Sequence, residues 1–168
     1  LEFSPEATAP RFEQYLNEVF DGCDDINERK LLILEFIGYS LLRTGSLERF
    51  IILIGGGSNG KSVLLSVVEK LLGIGNVCSV SPSQFGQRFI SSQLVGKLAN
   101  IVTETSMGEV IDDAKIKSLV SGEIQTAERK GKDHFEFRPY ATMWFATNHL
   151  PTTRDYSDAF FRRPAIVS

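Results

Sequence analysis

The stretch that decides the fold runs from residue 50 to residue 62 and reads Phe50-Ile51-Ile52-Leu53-Ile54-Gly55-Gly56-Gly57-Ser58-Asn59-Gly60-Lys61-Ser62. Its first half is a continuous apolar run with β-branched residues, which is typical of a strand buried on both faces. Its second half fits the pattern G-x-x-x-x-G-K-[ST], the Walker A motif. A helix is predicted to follow, to about Leu72. The order strand, glycine-rich loop, helix distinguishes a phosphate-binding loop from a chance glycine-rich turn.

The glycine-rich loop predicts a site for ATP and Mg²⁺. Glycine permits positive φ angles and leaves no side chain between the backbone and a ligand, so successive N–H groups can converge on phosphate oxygens. The amino end of the following helix adds a partial positive charge. Lys61 is predicted to reach the β- and γ-phosphates, and Ser62 to bind Mg²⁺. The predicted nucleotide-binding residues are Gly55, Gly56, Gly57, Ser58, Asn59, Gly60, Lys61 and Ser62.

Alternating strands and helices are predicted on both sides of the Walker A helix. Two further apolar runs, Leu98–Thr103 and Ala141–Thr147, are typical of buried strands. Strands of this kind that alternate with helices indicate an α/β fold with a mostly parallel sheet. The other predicted elements are helices over residues 82–95 (with Phe85 and Phe89 turned inward), 112–120 and 155–161, a hairpin over residues 124–137 that turns near Gly131, and a strand at residues 165–167.

The N-terminal part of the chain predicts helices only. One helix is expected over residues 10–22 and a second over residues 25–43, with Asp25 as its cap. The apolar positions assigned to the second helix are Leu31, Leu32, Leu34, Ile37, Leu41 and Leu42. We therefore predict a helical N-terminal segment over residues 1–47 and a core domain over residues 48–168. Because the chain stops inside a predicted strand, we expect this core to be a piece of something longer.

Composition excludes several classes of protein. Apolar residues make up 42% of the chain, which is enough for a core, but no apolar run approaches the ~18 residues that a membrane span needs. Two cysteines, Cys23 and Cys78, do not make a disulfide framework, so we expect a reduced, cytoplasmic protein without a membrane partner. The formal net charge is −3, so any contact with nucleic acid must come from a local basic patch.

Two polar residues follow buried strands, where a phosphate-binding loop needs partners. Glu104 comes directly after the strand at 98–103, and a carboxylate there can hold the Mg²⁺ shell and polarise a water molecule. Asn148 comes directly after the strand at 141–147, at the edge where ligands bind in such sheets. Asn148 is therefore a candidate ligand of the γ-phosphate or of the attacking water. On this evidence alone it is equally well an ordinary loop asparagine.

Two basic features allow more than one interpretation. Arg162 and Arg163 follow a predicted helix and form either a solvated face or a source of charge for a transferring phosphoryl group. The predicted hairpin carries the densest basic cluster, which suits a contact with a phosphate backbone. A solvated turn explains the same residues equally well. The candidate DNA-binding residues are Arg129, Lys130, Lys132 and His134.

Taken in order along the chain, these motifs resemble a known family. The matching segments are Ile37–Leu41, Gly55–Ser62, Ile101–Thr105, Lys117–Glu123, Phe145–Pro151 and Phe161–Arg163. Together they resemble the helicase domain of phage and plasmid primase–helicases, members of helicase superfamily 3 within the AAA+ ATPases. Poxvirus primase–helicases and the replicative helicases of papillomaviruses and polyomaviruses are similar more distantly. The resemblance covers about residues 10–168.

The resemblance implies an ATP-driven translocase on single-stranded or forked DNA that forms a ring, expected to be hexameric. It also implies a primase domain elsewhere in the full-length chain and a location in the host cytoplasm. It assigns Lys61 and Ser62 to Walker A, Glu104 to Walker B and Asn148 to the sensor position. It makes the hairpin the DNA-contacting element of a central channel. It aligns Arg163 best with an arginine finger that acts on the neighbouring subunit, and Arg162 second.

One departure from the family leaves the general base open. The family commonly has a second acidic residue directly after the Walker B glutamate, whereas Thr105 and Ser106 follow Glu104 here. The next acidic residue is Glu109. Glu104 therefore either serves both roles or shares them with Glu109.

Two other functions fit a phosphate-binding loop. A small-molecule kinase would carry an arginine-bearing lid and a substrate pocket, and the sequence has no clear lid. A non-catalytic DNA-binding module, gated by nucleotide, would not need Lys61, Ser62, Glu104 and Asn148 together. Release of phosphate without any added acceptor would favour the ATPase over the kinase.

Overall fold

The computed structural model of the protein describes residues 4–57, 59–105, 108–149 and 152–168, which form two units, residues 1–35 and 36–168. In the first unit, the Lys30 ammonium donates a hydrogen bond to Asn17 Oδ1 (2.7 Å), and the Asp25 carboxylate accepts one from Arg29 Nε (2.6 Å). These units are defined by contacts within the chain. They do not test the predicted boundary between a helical N-terminal segment and a core domain at residues 47 and 48, which stays a prediction.

The helices and strands follow the predicted order except at the strand Val77–Cys78, which was not predicted, and at the predicted helix over residues 82–95. The helices of the described part are α1 (Pro10–Val19), α2 (Ile26–Ser40), α3 (Lys61–Leu72), α4 (Asp113–Val120) and α5 (Asp158–Phe161). The strands are β1 (Phe50–Ile54), β2 (Val77–Cys78), β3 (Ala99–Val102), β4 (Gln125–Ala127), β5 (Phe135–Phe137), β6 (Thr142–Thr147) and β7 (Pro164–Val167). None of the helices in the described residues is long and apolar enough to cross a membrane.

Five strands form one parallel sheet in the order β2-β3-β6-β1-β7. In register, Ile54 lies beside Thr147 at the carboxyl ends of β1 and β6, and Val102 of β3 lies beside Phe145. The prediction of a mostly parallel sheet is confirmed. Because the strands are parallel, the loops that follow β1, β3 and β6 leave the sheet at the same edge.

Both faces of the sheet are covered, which explains why its strands are continuously apolar. On one face, Phe145 packs edge-on against Phe50 and Phe85, at ring-centroid distances of 6.0 and 6.5 Å. On the other face, Trp144 is fully buried and its Nε1–H donates to Ser40 Oγ (2.9 Å). The serine hydroxyl in turn donates to the Phe36 carbonyl (2.7 Å), so the buried indole N–H is satisfied without solvent.

Two predictions about helices were wrong in detail. Residues 82–95 do not form one helix but two short 3₁₀ segments, Pro82–Gln84 and Ile90–Leu94. Phe85 is buried as predicted, whereas Phe89 is 37% exposed and has a φ of 69°. Three serines and Gly86 interrupt this region, and serine and glycine do not favour a helix without strong packing.

The second error concerns the buried face of α2. The structure buries Ile33, Phe36 and Tyr39, whereas most of the predicted apolar positions are exposed. The leucines exposed by about half are Leu31, Leu34, Leu41 and Leu42. Leucine is frequent enough along α2 that spacing alone did not identify the packed face.

The predicted hairpin forms a separate two-stranded sheet. Strands β4 and β5 are antiparallel, with Ala127 opposite Phe135, and Gly131 in the turn has a φ of 71°. The chain enters the hairpin from α4, which ends at Val120, the predicted last residue, and is followed by Ser121 and Gly122. The Gly122 φ of 65° and its close approach to Gly45 explain why the stop falls at this glycine.

Candidate nucleotide site and basic hairpin

The loops after β1, β3 and β6 surround a cavity of about 480 Å³. The sheet brings together residues from three distant parts of the sequence at this edge: the glycine-rich loop, Glu104 and Asn148. The described residues that line the cavity are Gly57, Asn59, Gly60, Lys61, Ser62, Val63, Thr103, Glu104, Thr147 and Asn148. Parallel α/β sheets bind ligands at such crevices.

Two glycines of the glycine-rich loop are in positions where a side chain would not fit easily. Gly60 has a φ of 86°, in the left-handed region, directly before α3 begins. A Cβ at Gly55 would lie 1.7 Å from Asn59 Nδ2, so a side chain there would displace Asn59. The Gly55 N–H donates to the Thr147 carbonyl (3.2 Å), which ties the loop to the end of β6. Ser58 lies outside the described residues.

Lys61 is held at the centre of the loop by neutral oxygens. Its Nζ donates to the Gly55 carbonyl (2.6 Å), to Asn59 Oδ1 (2.8 Å) and, at longer range, to the Gly56 carbonyl (3.4 Å). It also reaches Asn148 Oδ1 (3.3 Å), so the two residues predicted to hold phosphate are in contact. Partial burial lowers the pKa of the Lys61 amine from its ordinary value. Polyphosphate oxygens would offer this ammonium negatively charged acceptors in place of neutral ones.

Glu104 and Ser62 supply exposed oxygens in the cavity wall. Among the described residues, none forms a hydrogen bond or ion pair with the Glu104 carboxylate. A hydroxyl and a carboxylate are hard oxygen ligands, and Mg²⁺ bound together with phosphates needs only one or two protein carboxylates. The residues present therefore fit a Mg²⁺–nucleotide complex. The described residues contain no cluster of three or more His, Cys, Asp or Glu that would hold a metal without a nucleotide.

Glu109, the second candidate for a general base, is engaged elsewhere. Its Oε1 accepts hydrogen bonds from Ser83 N (3.1 Å) and Ser83 Oγ (2.6 Å), and it does not line the cavity. Thr105 is buried, and its N–H donates to the Ala146 carbonyl of β6 (3.1 Å). Of the two acidic candidates, only Glu104 therefore faces the predicted phosphate site.

Arg162 and Arg163 lie at the opposite edge of the sheet from Lys61. The Arg163 carbonyl accepts a hydrogen bond from Phe50 N, at the amino end of β1, whereas the glycine-rich loop follows the carboxyl end of β1. The five residues of β1 separate the two edges by roughly 16 Å, at ~3.3 Å for each residue. Neither arginine can therefore contact a nucleotide bound by its own loop.

The two arginines differ in what surrounds them. Arg163 is buried, and its guanidinium donates to Glu48 Oε2 (2.7 Å), to Ser121 Oγ (3.2 Å) and to the Ala159 carbonyl. The Arg162 side chain is 63% exposed and forms an ion pair with the same Glu48 oxygen, at 3.2 Å. A buried arginine with three partners in its own chain is poorly placed to act on a neighbour, so the surroundings favour Arg162 as the candidate for that role. The role itself stays a prediction.

The hairpin presents its basic residues to solvent. Arg129, Lys130, Lys132 and His134 are all exposed. Gln125 and Ala127 of β4 are buried, and Phe137, which lies opposite Gln125 at the base of the hairpin, packs against the core, so the strands are fixed while the turn projects. None of these residues lines the cavity around Lys61.

The structure adds a contact directly after β4, where the turn of the hairpin begins, that the sequence did not predict. Arg88 forms a two-point ion pair with Glu128, with Nε–Oε2 and NH2–Oε1 distances of 2.9 and 2.7 Å. The Arg88 guanidinium lowers the pKa of the Glu128 carboxyl. The one acidic side chain at the start of the basic cluster is thereby neutralised. No spacing rule connects residues 88 and 128, so this pair was not accessible from sequence.

Comparison with known proteins gives one family and several distant relatives. The model of the family described as "Family of unknown function (DUF5906)" matches residues 53–163. The chain is 26% identical over 142 residues to "Putative helicase L207/L206" of Acanthamoeba polyphaga mimivirus. It is 25% identical over 155 residues to "Putative primase C962R" of African swine fever virus (isolate Warthog/Namibia/Wart80/1980). These matches cover 80% and 88% of this chain but only 15% and 16% of the viral proteins.

A solved structure shares the fold over nearly the whole chain. The C-terminal region of NrS-1, in an apo form, superposes with a TM-score of 0.72 at 18% sequence identity. The match covers 99% of this chain and 40% of that one. At this identity the likeness concerns the fold alone.

The different surroundings of the two arginines predict different effects on stability. Arg163→Ala should lower the free energy of unfolding by about 2 kcal/mol, the scale of hydrogen bonds to charged groups, because Glu48 and Ser121 lose their shared donor. Arg162→Ala should change it by less than about 0.5 kcal/mol, as for most exposed ion pairs. Urea denaturation of both variants tests this. Equal losses would contradict the assignment of Arg163 to the interior.

Proposed function

The chain belongs to the family DUF5906, and we propose that it is an ATP-hydrolysing motor domain that acts on DNA during replication. One observation carries the proposal: Lys61, Ser62, Glu104 and Asn148, from three distant stretches of sequence, line one cavity, with Lys61 and Asn148 in contact. The distant viral relatives have helicase or primase names, which is consistent with a role in DNA replication.

The proposed reaction is attack of water on the γ-phosphorus of ATP, which yields ADP and phosphate. The loop N–H groups and Lys61 bind the phosphates, and Asn148 orients the γ-phosphate or the water. Glu104 accepts a proton from the water. Ser62, with Glu104 through its shell, would hold Mg²⁺, which when bound neutralises charge on the phosphate oxygens.

The proposed assembly is a ring, because the arginines and the cavity lie at opposite edges of one subunit. A neighbour in a ring could bring its Arg162 to the cavity and complete the site. This is the arrangement of the AAA+ helicases of superfamily 3 that the motifs resemble, and a hexamer is the expected form. The chain spans about one-sixth of the viral relatives' length, so a primase domain elsewhere in the full-length protein is part of the proposal.

The proposed DNA contact is the hairpin. Its tip carries Arg129, Lys130 and Lys132 on a protein whose net charge is −3, so a polyanion would be repelled from most of the surface. Phosphate contacts from such a tip would grip single-stranded DNA without selecting a sequence. Displacement of the hairpin during the ATP cycle would then move the DNA.

The nucleotide site is tested by two substitutions with different expected outcomes. Lys61→Ala should nearly abolish ATP hydrolysis, because it removes the charge-assisted contact to the phosphates. Glu104→Gln should leave ATP binding intact and lower turnover by about 10²-fold or more, the scale of general-base catalysis. Phosphate release and binding of a fluorescent ATP analogue would be measured for each. Wild-type hydrolysis by Lys61→Ala would refute the site.

The shared site is tested by mixing variants. Arg162→Ala should lower turnover by roughly 10³-fold, the low end for arginines of this type. Lys61→Ala subunits are inactive but still carry Arg162, so adding them should restore activity at interfaces with Arg162→Ala subunits. Turnover of Arg163→Ala, assayed in the same mixtures and below its unfolding temperature, is compared with that of Arg162→Ala. No recovery in mixtures shown to exchange subunits would contradict a site between subunits.

The hairpin is tested through the salt dependence of DNA binding. Each lysine that neutralises a phosphate of single-stranded DNA contributes about 0.7 to the slope of log affinity against log salt. Lys130→Ala/Lys132→Ala should therefore weaken binding and flatten the slope by about 1.4, while basal ATP hydrolysis remains. The matched control is Arg43→Ala/Lys70→Ala, which removes two exposed charges elsewhere. Equal slopes for the two double variants would leave the hairpin a solvated turn.

A further inference from the structure

A cluster of charged side chains fastens α4 to the segment between β6 and α5. The Asp113 carboxylate, in the first turn of α4, accepts three hydrogen bonds from that segment: from Thr153 Oγ1 (2.7 Å), Arg154 N (3.0 Å) and Asp155 N (3.1 Å). One turn further along α4, Lys117 Nζ donates to Asp155 Oδ2 (2.5 Å). We call Asp113, Lys117 and Asp155 the α4 clasp.

The backbone reinforces the clasp. Thr152 N donates to the Glu109 carbonyl (3.1 Å), and its carbonyl accepts from Ile111 N (3.1 Å). The Lys117 ammonium and the hydrogen bond from Ser157 hold the pKa of the Asp155 carboxyl well below its usual range. The Asp155 and Lys117 side chains remain 21% and 30% exposed, so solvent screens their ion pair. The clasp therefore fixes position more than it stabilises the fold.

The segment that the α4 clasp holds is close in sequence to the nucleotide cavity. The fastened segment, residues 152–157, follows within a few residues of Asn148, whose Oδ1 contacts Lys61 Nζ. In sequence, only three residues separate Asn148 from Thr152, the first residue of the fastened segment.

At its carboxyl end, helix α4 contacts the hairpin. Helix α4 leads directly into β4, and Lys115 on α4 donates from Nζ to Gln125 Oε1 on β4 (2.8 Å). Glu123 N donates to the Ser118 carbonyl (3.1 Å), and Arg138, just after β5, donates to the Gly122 carbonyl (3.1 Å). The hairpin is thus fastened to the same helix that the clasp holds at its amino end.

We propose that Asp113 and Lys117 are positioning residues that couple the nucleotide cavity to the basic hairpin through α4. This inference rests on the proposed function, since it assigns a route between the proposed ATP site and the proposed DNA contact. Neither residue lines the cavity or lies in the hairpin, so neither binds the nucleotide or the DNA in this proposal. Substitution of either residue should leave basal ATP hydrolysis and DNA binding intact, but should remove the effect of each on the other.

The experiment compares Lys117→Met with wild type in the full-length protein. Two quantities are measured: the stimulation of ATP turnover by single-stranded DNA, and the ratio of DNA affinities with a non-hydrolysable ATP analogue and with ADP. Couplings between sites typically change affinity by about 5–150-fold. We expect the wild-type ratio in that range and the variant ratio close to one, with unchanged KM for ATP and basal turnover. Thermal unfolding is recorded for each protein.

Four further variants sharpen the test. Lys70→Met, which removes an exposed lysine from α3, should behave as wild type, and Lys117→Arg should keep the coupling because it can still pair with Asp155. Asp113→Asn removes the charge at the other point of the clasp and should also lose coupling. Lys117→Met/Asp155→Asn should lose no more coupling than Lys117→Met, since both remove one ion pair.

The outcomes separate this inference from the proposed function. Coupling retained by both Lys117→Met and Asp113→Asn overturns the inference and leaves the ATPase and DNA assignments standing. A raised KM for ATP or a lowered basal turnover in Lys117→Met also overturns it, because the residue would then act on the nucleotide site itself. A wild-type protein without ATP hydrolysis or without DNA binding refutes the proposed function itself.

Discussion

The candidate site depends on one geometric constraint, the parallel alignment of β1, β3 and β6. Parallel strands all end at the same edge, so the residues after them meet although they are far apart in sequence. Lys61 and Asn148 are 87 positions apart and in contact. An antiparallel neighbour would have sent one of these loops to the other edge. The three strands are apolar and both faces of the sheet are buried. Phe145 and Trp144 of β6 pack on opposite faces, and this packing maintains the alignment.

The same constraint divides the charged residues between two edges. The exposed oxygens of Glu104 and Ser62 lie beside the ammonium of Lys61 at the carboxyl edge, whereas Arg162 and Arg163 lie at the amino edge. An arginine that completes the phosphate site would therefore come from another subunit. Arg163 has the opposite character, because it ties Glu48 and Ser121 together in the interior of its own chain. Adjacent residues of the same type thus have different physical environments.

The basic hairpin does not line the cavity. Helix α4 is connected to the hairpin and to the segment that follows Asn148. Its first turn is fastened to the segment after Asn148, and its last turn leads into β4. A helix transmits displacement well, because its backbone hydrogen bonds keep its length fixed. In the function we propose, α4 provides the connection between the two sites.

Much of this protein was determined by its sequence alone. The apolar run at 50–54 and the glycine pattern of 55–62 predicted a buried strand, a loop and a helix, because local sterics and hydrophobic periodicity act over a few residues. The same reasoning located Glu104, Asn148 and the hairpin at strand ends and at a turn. The order of the motifs along the chain carried the resemblance to a family, and the resemblance assigned a role to each motif.

Only the tertiary structure decided which of these residues share surroundings. It showed that Glu109 bonds Ser83 and not the cavity, that Arg163 is buried while Arg162 is exposed, and that Arg88 neutralises Glu128. It also replaced the predicted helix at 82–95 with two 3₁₀ segments. Each of these outcomes depends on contacts between segments with no fixed spacing in sequence. Side-chain burial and pairing are set by such long-range contacts, and local patterns carry no information about them.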